Sequence, residues 1–218
     1  MKGDKVKVNI LATKMITHVD LSMAEQFKLE SRFSSLGLIT TDCDDVGYTA
    51  IDEATKKADV KVVYARSMYA GASNASQKYA GEFIGILAGP SPAEVKSGLN
   101  AAVDFINSGD ATFMSANDDD SVAYYAYTIS RTGSYLSEQS GIPLGSPLAY
   151  LVAPPLEAMY AIDAALKAAD VKLIVFGPPP SETNFASAFL TGEQSACKAS
   201  CVAFAEAVKS VCDNPLGY

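Results

Sequence analysis

With 218 residues, 49% of them apolar, the chain has apolar matter for one large core or two small ones. Its formal net charge of −8 and pI of about 4.6 argue against nucleic acid or an anionic membrane surface as the main partner, because both repel an acidic protein; small cations fit better. No window approaches the roughly 18 apolar residues of a membrane span, and the N-terminal MKGDKVKVNILATKM has lysines without the apolar run of a signal peptide, so a cytosolic chain is expected.

In chain order, a strand pair is expected near residues 6–17, with the chain's one histidine, His18, at its end. The apolar run LGLIT (36–40) predicts a strand, and TTDCDDVGY (40–48) after it reads as a loop crowded with carboxylates. Within that loop the neighbouring negative charge should raise the pKa of Cys43 and blunt its reactivity. Ile51, Ala54 and Ala58 recur at helical spacing, and VKVVYARS (60–67) follows at once as a strand. A Gly-rich polar loop, ARSMYAGASNASQKYAGE, leads to a strand within GEFIGILAG. Ser91-Pro92-Ala93-Glu94 then opens a helix with an N-cap, a proline at N1 and a capping-box glutamate.

The same series then repeats. AIDEATKKADVK (50–61) matches AIDAALKAADVK (161–172), Asp59 to Asp170, at an offset of 111 residues (170 − 59), about half the chain. An early strand pair near residues 121–131, a strand at LAYLV (148–152) and a helix carrying Met159, Ile162, Leu166 and Ala169 are the counterparts. The strand VKLIVFG, the loop GPPPSETNFAS, the strand ASAFLTG and a final helix complete the copy. That last helix bears an apolar stripe of Cys197, Cys201, Phe204, Ala205, Val208, Val211 and Cys212, which reads as reduced core thiols rather than a metal or redox site. Two α/β domains follow, residues 1–109 and 110–218.

The copies differ in three loops, and these are the candidate working parts. The acidic stretch TTDCDDVGYTA stands where copy two has VAPPLEAMYA, and the two long loops also diverge. His18, at a strand end, fits a solvated or packed histidine better than a general base. GxSxG, GxxxxGK[ST] and GxGxxG are absent, and DCDD lacks the spacing of an EF-hand, so neither an enzyme nor a metal site is expected. The carboxylates Asp42, Asp44, Asp45 and Glu82 keep acid–base catalysis as an alternative.

The runs SLGLITTDCDDVGYTAIDEATKKADVKVVYARSMYAGA, SRTGSYLSEQSGI, AYLVAPPLEAMYAIDAALKAADV and PPPSETNFASAFLTGEQSACKA together resemble the EutL family, tandem-domain shell proteins of the ethanolamine-utilisation bacterial microcompartment. The resemblance spans essentially the whole chain; one departure is Gly47, where the family leads us to expect threonine, a change that should loosen the acidic loop. It implies an α/β (α+β) fold of two tandem, circularly permuted microcompartment domains, each a small, mixed, mainly antiparallel sheet flanked by helices.

It further implies a homotrimer that forms a pseudohexameric tile, associates with other shell proteins and has no cofactor. The loops 66–76 and 178–185 would gate a central pore, with Arg66, Met68, Tyr69, Gly71, Pro180, Ser181, Glu182, Asn184 and Phe185 as gating residues. Asp44, Asp45, Glu82, Phe113 and Thr183 would bind or pass ethanolamine in a small pore. The rival readings are a carboxylate enzyme and a binding protein for an amino alcohol or a corrinoid.

Overall fold

The computed structural model describes residues 1–67, 83–179 and 184–217. In the first copy, strands β1 (Ile10–Ile16), β2 (Ser35–Thr41), β3 (Lys61–Ser67) and β4 (Phe83–Gly89) form a sheet in the order β1-β2-β4-β3. Helices α1 (Leu21–Gln26), α2 (Asp44–Lys57) and α3 (Pro92–Ser108) accompany it. In the second copy, β5 (Met114–Ser115), β6 (Ala123–Ile129), β7 (Leu148–Ala153), β8 (Val171–Gly177) and β9 (Ala186–Gly192) form a sheet in the order β5-β6-β7-β9-β8. Its helices are α4 (Ser134–Ser140), α5 (Pro155–Ala168) and α6 (Gln194–Asp213).

Each pairing among the described strands of the two sheets is antiparallel. The expected early strand pairs resolve differently. Residues 6–17 and 121–131 each contribute one strand, β1 and β6, followed by the short helices α1 and α4; only β6 gains a small partner, β5.

The repeat is preserved in detail. Both edge strands break register at matching places, between Val62 and Tyr64 and between Leu173 and Val175. Helices α2 and α5 end alike, on extended Ala58 and Ala169 whose carbonyls accept from Val60 and Val171. The start of α3 follows its sequence signal only in part. The Ser91 side chain accepts from the Glu94 N–H, but the Glu94 carboxylate accepts from the Asp59 N–H at 2.8 Å, so the glutamate ties a neighbouring turn instead of completing the capping box.

The chain divides into two compact units. One is Val8–Ala111 with Gly133–Gln139; the other is Met1–Lys7, Thr112–Thr132 and Ser140–Tyr218. In the first unit α2 and α3 pack together and against β2 and β4, with Ala50, Ala54 and Ala102 fully buried. In the second, α5 and α6 do the same against β7 and β9 through Ala158, Ala161, Ala165 and Phe204. Side chains such as Ile51, Leu87 and Leu151, fully buried, each contribute about 1.5–3 kcal/mol. Cys197, Cys201, Phe204 and Val208 are in this core, as their helical stripe predicts.

Candidate functional site

The acidic stretch is not a solvated loop. It is the end of β2 and the first turn of α2, and Asp42, Asp44 and Asp45 are only 3%, 4% and 7% exposed. The chain turns because Thr41 Oγ1 donates to the Cys43 carbonyl at 2.7 Å, leaving Cys43 extended at the N-cap. Cys43 has no capping side-chain bond; Asp44 caps the turn locally, its Oδ1 accepting from the Asp45 N–H at 3.0 Å. Two carboxylates here sit at the positive end of the helix dipole, which favours their ionised form.

The three aspartates have separate tasks. Asp42 accepts from the Asn9 backbone N–H at 2.7 Å and from Asn9 Nδ2 at 2.6 Å, so it fastens the chain ahead of β1. Asp44 and Asp45 remain as the adjacent pair. The pKa of Asp44 is held well above the ordinary aspartate value, first by burial and then by the charge of Asp45; bonds from the first-turn N–H groups and from Ser67 oppose the shift. Cys43 is pushed up as well, again by burial first and then by Asp44 and Asp45, so it is the inert thiol expected, but for a reason that begins with desolvation.

Aromatic side chains that the sequence did not single out surround this turn. The Tyr48 ring meets Phe83 edge-on at 4.8 Å and stacks on Tyr135 at 6.1 Å, and the Tyr48 hydroxyl lies 3.3 Å from Ser67 Oγ. Gly47 is the seat for Phe83. A Cβ there would stand 2.3 Å from the Phe83 ring, so the departure from the family's expected threonine tightens a packed helix rather than loosening a loop. Phe83 in turn pairs in register with Thr41 and Ser67, which brings the ends of β2 and β3 and the start of β4 to the first turn of α2.

Of the remaining candidate ligands, Phe113 is buried at 1% exposure, with ring centroids 5.4 Å from Tyr125 and 6.1 Å from Phe185. Phe113 belongs to the other compact unit from Asp44 and Asp45. Glu82 and Thr183 lie outside the described residues, as do Met68, Tyr69, Gly71, Pro180, Ser181 and Glu182 of the gating set. Arg66 is not in a loop: it is the penultimate residue of β3, paired with Ile84, with its guanidinium 5.8 Å from the Tyr64 ring. Asn184 is exposed and left-handed, at φ 67°, and Phe185 leads directly into β9. His18 is exposed just after β1. Among the described residues there is no cluster of three or more potential metal ligands, and no helix is long and apolar enough to cross a membrane.

A fourth buried aspartate carries no signal in the sequence. Asp52 is fully buried on α2; its carboxylate accepts from the Gly133 N–H at 2.7 Å and the Leu136 N–H at 2.8 Å, while Thr55 Oγ1 accepts from the Ser134 N–H at 3.0 Å. These bonds satisfy the free N–H groups that start α4. Lys56 lies 3.5 Å from the same carboxylate. Gly133 is required by the close approach, since a Cβ would come within 2.4 Å of the Asp52 carbonyl. The repeat alignment offers no signal for this role, because the matching Asp163 is exposed and, among the described residues, bonds Lys167 on its own helix.

Two sheets with this shared order, each backed by helices that repeat in sequence, define the class. The sequence profile of the BMC domain matches residues 35–116 and 153–215, one stretch in each copy, so the chain is a BMC-domain protein. The bacterial microcompartment shell protein EutL of Clostridium perfringens (strain 13 / Type A) is 68% identical over 218 residues, the full length of both. EutL of Salmonella typhimurium (strain LT2) is 54% identical over 213 residues, 98% of this chain and 97% of that one. The crystal structure of the ethanolamine utilization protein EutL from Leptotrichia buccalis C-1013-b superposes with a TM-score of 0.95 at 65% identity, covering 100% of both chains. The chain belongs to the EutL family of bacterial microcompartment shell proteins, as its quoted runs imply.

Proposed function

We propose that the chain is a tile of the ethanolamine-utilisation microcompartment shell, in which three chains close into a pseudohexamer around a gated pore and the carboxylates at the start of α2 bind or pass ethanolamine. The family supports the shell role and the place in the cell, a protein shell within the cytoplasm. The repeat supports the assembly, because two similar domains per chain give six around one axis when three chains close.

The observation that carries the ligand reading is the buried pair Asp44 and Asp45. Burial and mutual repulsion raise the free energy of the doubly ionised pair, and an arriving ammonium relieves both through charge-assisted hydrogen bonds. Glu82, Phe113 and Thr183 join the ligand set on the family resemblance alone. The same resemblance assigns gating to the loops 66–76 and 178–185, whose glycines, prolines and small residues suit a segment with two conformations. Affinity is modest, since a small ligand makes few contacts and a pore must release what it binds.

Isothermal titration calorimetry with ethanolamine on the wild type and on Asp45→Asn tests this reading. The variant should lose about 1.5–3 kcal/mol of binding, the range for a hydrogen bond to a charged group. Equal affinities would remove these carboxylates from the binding site.

A further inference from the structure

Ser67, the last residue of β3, stands against the acidic turn. In the sheet it pairs with Phe83, whose other register partner is Thr41 at the end of β2, so the strand carries its hydroxyl to the start of α2. There it donates a hydrogen bond to the Asp44 carboxylate and accepts one from the Tyr48 hydroxyl at 3.3 Å. Asp44 and Tyr48 are four residues apart and share one face of α2, so one serine reaches both. A serine hydroxyl has a single hydrogen. With Tyr48 donating to its oxygen, that hydrogen is left for the carboxylate. Tyr48 is itself fixed, because its ring meets Phe83 edge-on at 4.8 Å and stacks on Tyr135 of α4 at 6.1 Å.

The second copy keeps the fold and lacks this relay. At the offset of 111 residues (178 − 67), Asp44, Tyr48 and Ser67 correspond to Pro155, Met159 and Pro178, and the strand register puts Ala186 where copy one has Phe83. None of the three replacements has a side chain that donates a hydrogen bond. The relay is therefore not needed to build these strands and this helix; it accompanies the carboxylates.

We infer that Ser67 is a positioning residue for the amine site: oriented by Tyr48, its hydroxyl stabilises the Asp44 anion that receives the ammonium. The inference rests on the ligand reading above and adds two residues that act through Asp44 rather than on the ligand. Two buried carboxylates side by side resist double ionisation, and a donor aimed at one of them offsets part of that cost before any ligand arrives. Among the described residues the other charged or titratable groups around Asp44 are Asp45, Cys43 and Asp42 on its own turn, Tyr48 on α2, Arg66 beside Ser67 on β3, and Tyr135 on α4. Burial pushes up the Cys43 thiol and the Tyr135 phenol, so both are neutral at neutral pH and below; Asp42 is tied to Asn9, and Arg66 is exposed.

Calorimetry with ethanolamine across a pH series tests the inference on the full chain, with circular dichroism to confirm that each variant is folded. Removing a donor to the anion raises the folded pKa of Asp44, so binding should fail at a higher pH. Ser67→Ala should move the pH of half-maximal affinity up by about one unit or more, the loss expected of a hydrogen bond to a charged group, and the gap from wild type should close well above both midpoints. Tyr48→Phe keeps the stacked ring and removes only the hydroxyl; it should shift the midpoint the same way by less. Ser67→Thr, which keeps a hydroxyl, should restore the wild-type profile. Wild type that binds no ethanolamine at any pH would overturn the ligand reading together with this one. Wild-type profiles for both Ser67→Ala and Tyr48→Phe, or a loss of affinity equal at every pH, would overturn this inference alone.

Discussion

At Asp44 opposing electrostatic effects meet, and they do not balance. Burial and the neighbouring Asp45 favour its neutral form; the first-turn N–H groups and Ser67 favour the ionised one, and burial wins. A carboxyl whose folded pKa lies above its unfolded value of 3.8 holds its proton more tightly when folded. Its contribution to stability is complete below 3.8 and is lost as pH rises through the raised folded pKa. Replacing it with asparagine removes the titration, so melting curves taken across a pH series should show wild type losing Tm relative to Asp44→Asn as pH climbs above 3.8. Parallel curves for the two proteins would mean that Asp44 titrates normally. On the proposed ligand reading, the same shift would make ethanolamine binding release a proton wherever Asp44 is protonated beforehand, and would weaken binding in acid.

At the scale of elements, the most consequential bonds join α2 to α4. Asp52 accepts two N–H groups with its charged carboxylate while fully buried, and each such bond is worth about 1.5–3 kcal/mol. Asp52→Ala should cost about 3 kcal/mol or more in denaturant unfolding, with faster hydrogen exchange at the Leu136 amide. A loss below about 1 kcal/mol with unchanged exchange would show that α4 is held by its apolar contacts. Sequence patterns made the elements legible because they are local: the helical stripe of Cys197, Cys201, Phe204 and Val208, and the strands around LGLIT and LAYLV, follow from periodicity alone. The acidic turn reads as a loop in the sequence because charge density looks like solvent exposure, whereas here the carboxylates start a helix and are buried. Asp52 and Tyr135 escaped notice for a different reason. Their roles depend on which segment packs on α2, and residues separated by some eighty positions leave no spacing to read.

Across the whole molecule, duplication lets equivalent positions diverge. Copy one begins α2 with the buried pair Asp44 and Asp45, while copy two begins α5 with Pro155 after an N-cap proline, Pro154, and has a single, half-buried acid, Glu157, in its first turn, so only one helix of the two carries the buried carboxylate pair. In a trimeric pseudohexamer, helix starts with and without the buried carboxylate pair would alternate around the axis, a threefold pattern that a ring of identical single domains would not provide. The claim underlying this account is that the chain is a shell tile, and imaging the purified protein by electron microscopy tests that most directly. The account predicts six-lobed particles, each of three chains, that meet edge to edge in flat layers as concentration rises. Isolated single chains that never form layers at any concentration would contradict it.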